Sequence, residues 1–560
     1  QPFPDAMGQT PCCKKGEVDS ALSVESVQHC NALHIDATVA TTARSALEDL
    51  ADAGICFEDG VDCDESPFPR TLADEAQSHL QSFASSEPTS NPSQFTCFAR
   101  MAGRELDVDA EVMRGVTMRD TLKGGGCMWY TSPSKLTLKQ CEHRWARSSP
   151  CESYDIFLSH TWMTPGVGKY LALSLQSGWF VAICFWALGV ALTVTLCILR
   201  LLPVSAQMPE TLAGRHVVTL PTAPWTILAS MIFLILGFLV APYLPLLGRA
   251  SDTCFLDVAC VCQSDRELTE RGVYGLGGFL VRADELRVLW SPPYLTRLWC
   301  VFELAAYRPA NPTGKISFRP IYMELSVLIG VPTLHLNNLF MVVCVMHFKS
   351  MYPLAVFSLI SFTCCVHLLR RSQCTRHQLL ADLQKFDLGN AACTHAFDRD
   401  FVMSAIARWY GSSKAFTKYV RGALREELAP SINRTGLRPG YIAMLCLSGM
   451  SVQAQVCVQH WINGSSPELL LRFVLSNVLS YALLWTYCVA RLLLHLSSRF
   501  AAPWRCDFLV SLTIGLGIWL MNFIGWVIGQ AVAQRGAPQT GGWVLLTSVV
   551  SFVILRRSWH

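Results

Sequence analysis

The sequence predicts two fold classes in one chain. One is an α/β domain with a parallel sheet, interrupted by transmembrane helices; the other is a polytopic α-helical membrane domain. Three observations predict this. The 560 residues are 51% hydrophobic and only 16% charged, with mean hydropathy +0.32, whereas soluble domains carry about a quarter charged residues. The missing charge is concentrated in a few long runs, as in membrane proteins. Between those runs, short apolar segments alternate with helical ones, the pattern of a parallel sheet.

The N-terminal region, 1–150, is acidic over its first hundred residues and rich in Ser, Pro and Ala. It has few large apolar residues, so partial disorder is expected, with a short helix over 36–55. The chain opens on Gln1 with no basic, apolar leader, so no signal peptide is read. Residues 100–150 are more basic and carry Trp129, Tyr130 and Trp145. These aromatics suit packing onto the domain that follows. A net charge of +3 gives no ground for nucleic-acid binding.

Two strong spans follow, 178–199 and 224–248, inside an inserted hairpin covering 163–249. A pair of spans lies in 326–371, the third run (325–348) carrying Pro332 and the fourth being 353–369. Residues 372–438 read as a soluble helical segment. The C-terminal region 439–560 holds spans near 441–460, 473–490, 508–534 and 543–555. Each approaches the length needed to cross about 30 Å of hydrocarbon. Eight crossings place eleven arginines, Arg370, Arg371 and Arg376 among them, on one side. The other side receives Arg200, Arg215, Lys349, Arg472 and Arg535. Positive charge marks the first side, with the sheet domain and C-terminus, as cytosolic. The sequon Asn463-Gly464-Ser465 falls opposite.

The α/β domain is read over 151–162 plus 250–325. "YDIFLSH" (154–160) is a strand buried on both faces, ending in Ser159 and His160. "CFLD" (254–257) reads as a second strand that includes Asp257. A helix is expected over 272–281, a strand over 286–290, a helix over 296–307 and a strand from Lys315. Two spans return the chain to its starting side, so both halves can join one sheet. The 24 Cys show no disulfide spacing and read as reduced thiols. The "CVC" at 260–262 and "CTH" at 393–395 lack zinc-finger spacing, and no metal site is expected.

Several of these pieces resemble the Toll/interleukin-1 receptor (TIR) domain family. "YDIFLSH" is similar to its first strand and "CFLD" to its second. The stretch 286–304 resembles its third strand, turn and helix, with Ser291, Tyr294, Trp299, Cys300, Glu303 and Leu304 in the plant-type pattern. "ISFRPIYMEL" is similar to the fourth strand. The resemblance covers about a sixth of the chain and implies a flavodoxin-like parallel sheet. The first crossover helix is displaced by two spans, and the fifth strand and last helix have no evident match. Catalytic members cleave NAD+ at the nicotinamide–ribose bond, which implies Glu303 as the catalytic glutamate. It would act as carboxylates do in glycoside hydrolysis. Ser159, His160, Asp257, Ser291, Tyr294, Trp299 and Cys300 would be its neighbours in the ligand cleft. No cofactor is required, NAD+ being a substrate. Other members only self-associate. Three readings therefore stand: signalling or scaffolding through TIR-type association, NAD+ hydrolysis by Glu303, and transport or channel activity with a TIR-like regulatory domain. The partners expected are the lipid bilayer and further copies of the domain.

Overall fold

A computed structural model describes residues 109–560, apart from 204–205, 213–215, 245–250, 345–351, 394–395, 434–436, 502–506 and 558–560. The acidic region and the helix expected at 36–55 lie outside the described residues.

One six-stranded sheet organises the α/β domain. Its strands are β1 (Arg114–Thr117), β2 (Ser149–Pro150), β3 (Tyr154–Ser159), β6 (Thr253–Phe255), β7 (Ala283–Trp290) and β8 (Lys315–Pro320), in the order β2-β1-β6-β3-β7-β8. β6, β3, β7 and β8 are mutually parallel, with Tyr154 opposite Ala283 and Leu286 opposite Ile316. In chain order these four strands lie 2-1-3-4, the arrangement of doubly wound sheets. β1 and β2 add antiparallel strands at one edge. The sequence assigned both to the N-terminal region rather than to the sheet. Ile156, Phe157 and Leu158 are each at most 2% exposed, which explains why the β3 sequence is apolar without alternation. The second parallel strand is shorter than expected. It ends at Phe255, and Asp257 instead opens a single helical turn, its carboxylate accepting from the Val258 N–H at 2.7 Å.

The β3-to-β6 crossover is where the membrane enters. Helix α3 (Gly166–Ile198), preceded by α1 (Met118–Gly126) and α2 (Leu138–Ala146), has 33 residues and is about 50 Å long. Its first turns do the work of a crossover helix: Ala172 and Leu173 belong to the sheet core. Farther along, Leu175, Ala182 and Trp186 belong to a separate membrane core. Gly166 is required at its start, since a Cβ there would lie 2.0 Å from the Trp129 carbonyl oxygen. A two-stranded hairpin of β4 (Ala206–Leu212) and β5 (His216–Thr222) links α3 to α4 (Trp225–Val240), which returns to the sheet.

The rest of the doubly wound unit is compact. After β6 come α5 (Asp257–Cys260), α6 (Arg266–Tyr274) and α7 (Leu276–Val281). The single helix expected over 272–281 is thus two helices, meeting at Gly275. α8 (Leu298–Ala310) follows β7, and α9 (Ile321–Val343) leaves β8 directly into the bilayer. α10 (Tyr352–Lys385) brings the chain back to the sheet side. There α11 (Ala396–Tyr410), α12 (Ser413–Tyr419) and α13 (Arg425–Asn433) join the sheet core through Phe401, Ile406, Phe416 and Leu428. Residues 296–298 also pair with Ala392: its N–H donates to the Thr296 carbonyl at 2.7 Å and its carbonyl accepts from Leu298 at 3.0 Å. The chain then runs through α14 (Pro439–Ile462), α15 (Pro467–Arg499), α16 (Asp507–Arg535) and α17 (Ala537–Arg557).

Seven helices among the described residues are long and apolar enough to cross a membrane: α3, α4, α9, α14, α15, α16 and α17. The protein is a multi-pass membrane protein associated with lipid. α10 contains the remaining predicted run, 353–369. It joins α9 to a segment packed on the sheet, so it must return the chain across whatever α9 crosses. Polar side chains in these helices are tied to one another across the bundle. Trp186 donates to Ser451 at 2.9 Å, and Ser358 to Asn337 at 2.8 Å. Thr226 donates to Gln455, and Asn338 to Ser448. Such bonds hold spans together where no hydrophobic force acts between them.

Candidate functional site

The site is built from the carboxyl ends of β3, β6 and β7, where open α/β sheets bind ligands at their switch point. β3 delivers Ser159, then His160, Thr161 and Trp162. β7 delivers Ser291, and the sequence Ser-Pro-Pro-Tyr closes a turn with the Tyr294 N–H on the Ser291 carbonyl at 2.9 Å. That turn sends the Tyr294 ring inward, fully buried. α8 starts four residues later and carries Cys300 and, one turn on, Glu303.

These residues meet. Ser159 Oγ donates to Glu303 Oε2 and lies 2.5 Å from the Tyr294 hydroxyl. Tyr294 also reaches the Cys300 carbonyl at 3.2 Å, and the Cys300 thiol reaches the His160 carbonyl at 3.4 Å. Among the described residues, no cation touches Glu303. Arg308, a neighbour on the same helix, pairs instead with Glu427. Burial therefore dominates and pushes the Glu303 carboxyl up to about 8, with the Ser159 hydrogen bond opposing and the Asp257 charge adding. Burial likewise raises the Tyr294 hydroxyl and the Cys300 thiol, which makes Cys300 a poor nucleophile.

A second group adjoins the first. Asp257 accepts from Trp162 Nε1 at 2.7 Å, and His160 Nε2 stands 3.9 Å from its other oxygen. The Asp257 side chain keeps a third of its surface open, while protein crowds it enough that burial raises its pKa. Together these describe a recess. His160 is wedged between Trp129 and Trp162, with ring centroids at 5.2 and 4.8 Å, and its Nε2 has no hydrogen-bond partner among the described residues. Burial first, then the Lys169 charge, drives its pKa well below the usual value, so His160 is neutral at pH 7. Lys169, from the first turn of α3, is 1% exposed. It donates to the Thr161 carbonyl at 3.2 Å and lies 4.3 Å over the Trp162 ring. Arg144 of α2 donates to the carbonyls of Cys127 and Thr131 at 3.2 Å each and adds positive potential toward Asp257.

The remaining sequence-selected residues lie differently. Ser291 is buried against Thr164 Oγ1 at 2.5 Å, under the β3–α3 connection. Trp299 turns toward α11, donating to Asp398 at 3.3 Å and packing on Phe302 and Phe401. Its hydrogen bond and ring contacts go to α11 and Phe302 rather than to Glu303. Lys169, Trp129, Thr164 and Arg144 were not selected from the sequence. The one legible signal was a single Lys at the head of an otherwise apolar run, "KYLALSLQS" (169–177).

Among the described residues, no three His, Cys, Asp or Glu side chains gather as a metal site. The site therefore offers two carboxyls of raised pKa, a hydroxyl relay, aromatic walls and a buried ammonium, at the mouth of a parallel sheet. No family model matches the chain, and neither the curated proteins nor the solved structures compared with it contain a match.

Proposed function

We propose that this membrane protein carries a cytosolic TIR-like domain that binds NAD+ and cleaves it with Glu303. One observation carries the reading: a carboxyl with no cationic partner among the described residues, raised to about 8, at the switch-point end of a 2-1-3-4 parallel sheet. Groups of this kind cluster at functional sites. When the C–N bond to nicotinamide breaks, its electron pair leaves with the pyridine and positive charge develops on the ribose. Ionised Glu303 stabilises that charge and its hydroxyl neighbours. Water then adds to the ribose carbon and releases one proton, giving ADP-ribose. Asp257, open in the same recess, faces this region.

A second reading is favoured by the Ser159–Glu303 contact, which occupies one carboxylate oxygen. In it the domain signals by association alone. One experiment separates the two. The full chain is purified in detergent and NAD+ is followed by chromatography, dispersed and clustered, for wild type and Glu303→Ala. Turnover in wild type that is lost in Glu303→Ala supports cleavage. No turnover in either, even clustered, rejects it in favour of association.

A further inference from the structure

Four buried polar atoms without a hydrogen-bond partner among the described residues lie near one another, away from the Glu303 site. They are Gln176 Oε1, Arg319 Nε, Glu324 Oε2 and Tyr441 Oη. Buried polar groups are nearly always paired, so each orphan asks for an explanation, and four in one knot ask for the same one. The knot lies where α3, α9 and α14 reach the sheet side of the membrane. Arg319 stands two residues before α9 begins, and Arg438 immediately before α14. Glu324 is in the first turn of α9 and Tyr441 in the first turn of α14; they are 6% and 2% exposed.

The knot is rich in cations. Gln176 Nε2 holds one oxygen of Glu324 at 3.0 Å. The Arg438 guanidinium lies 5.8 Å from the Tyr441 ring centroid. Arg319, Arg438 and Arg287 repel one another and all act on the Tyr441 hydroxyl. Arg287 is neutralised by Glu285 at 3.0 Å. Among the described residues, neither Arg319 nor Arg438 has a carboxylate within ion-pair distance. Both residues are part-exposed, and they stand just before the membrane helices α9 and α14.

We infer that this knot binds a phosphate group carried by a membrane-lipid headgroup. The phosphate would take Arg319, Arg438 and the Tyr441 hydroxyl, and headgroup hydroxyls would donate to Glu324 and Gln176. Two donors and two acceptors left open together match such a ligand better than a bare anion. Paired arginines at the cytosolic ends of spans are suited to phosphate geometry.

The test uses the full chain in detergent, with melting followed as lipid is added. The probes are short-chain phosphatidylinositol, the corresponding diacylglycerol lacking phosphate, and inorganic phosphate. Phosphatidylinositol is expected to raise the wild-type melting temperature and the other two to leave it unchanged. Arg438→Gln should weaken the lipid response about tenfold or more in concentration, the loss of a charge-assisted bond. Tyr441→Phe guards against misfolding: it keeps the ring, so the lipid-free protein should melt at or slightly above the wild-type temperature, while its lipid response falls. Equal protection by inorganic phosphate overturns the lipid assignment in favour of a soluble anion. Protection by diacylglycerol alone, no protection by any probe, or an unchanged response in both variants overturns the site.

Discussion

Two glutamates lie in the same α/β domain, one near each end of β7, and they have opposite chemistry. Glu285, near the amino end, is clasped by Arg287 at 3.0 Å, Lys315 at 2.8 Å and the Ser317 hydroxyl. Its carboxyl falls to about 2, because these hydrogen bonds and the Arg287 charge outweigh the opposing burial. Glu303, beyond the carboxyl end, meets only the Ser159 hydroxyl among the described residues and rises to about 8. Burial pushes both the same way; the partners decide the outcome. The first glutamate is an ion pair that fastens β7 to β8. The second is a buried carboxyl whose charge no cation among the described residues balances.

Breaking that contrast begins with the largest effect. Glu303→Gln should lower NAD+ turnover by about 10²–10³-fold, the scale for losing a charge-stabilising group, while binding persists. Rates measured beside a binding isotherm check this. The same variant should keep its melting temperature near pH 5. Since the folded-state value of Glu303 is raised, its contribution to stability is whole below about 4.5 and is lost as pH rises toward 8. Above pH 8, Glu303→Gln should therefore be the more stable protein. Under the proposed mechanism, wild-type turnover should climb with pH through the same window as Glu303 ionises.

Glu285→Gln comes next. It leaves Arg287 and Lys315 without their carboxylate and should cost about 2–3 kcal/mol in a melting or denaturant series, with turnover per folded molecule unchanged. The sign is opposite to that of Glu303. Its stabilisation is present above about 4.5 and fades as pH falls toward 2.

Smaller effects sharpen the comparison. Ser159→Ala removes the one contact that lowers the Glu303 carboxyl, so the pH–rate curve should shift to higher pH. A fall in rate with no shift would mean Ser159 only packs. Trp162→Phe deletes the 2.7 Å bond to Asp257 and should cost about 0.5–1.5 kcal/mol, read as a modest drop in melting temperature.

Much of this was legible along the chain. Charge-free runs gave the spans because bilayer thickness fixes their length, and uninterrupted Ile-Phe-Leu gave β3 because a strand covered on both faces has no polar side. The Ser-x-x-Tyr turn and the helix carrying Cys300 and Glu303 were readable because their spacing is local. Trp299 was misleading for a related reason. Spacing puts it on one face with Glu303, yet α11, nearly a hundred residues later, draws it to Asp398.

The sequence by itself therefore determined a membrane protein with a sheet domain whose crossover passes through the bilayer, since hydrophobicity and periodicity are properties of contiguous residues. Tertiary structure alone decided the chemistry of the individual charges. Glu285 and Glu303 are the same residue type 18 positions apart, and the one local difference is Arg287, two residues along the strand from Glu285. The rest of the difference is which side chains arrive from distant segments: Lys315 and Ser317 at one, and at the other Ser159, with Asp257 close by. Only folding brings those segments together, so only the folded chain sets which carboxyl is an anchor and which is free to act.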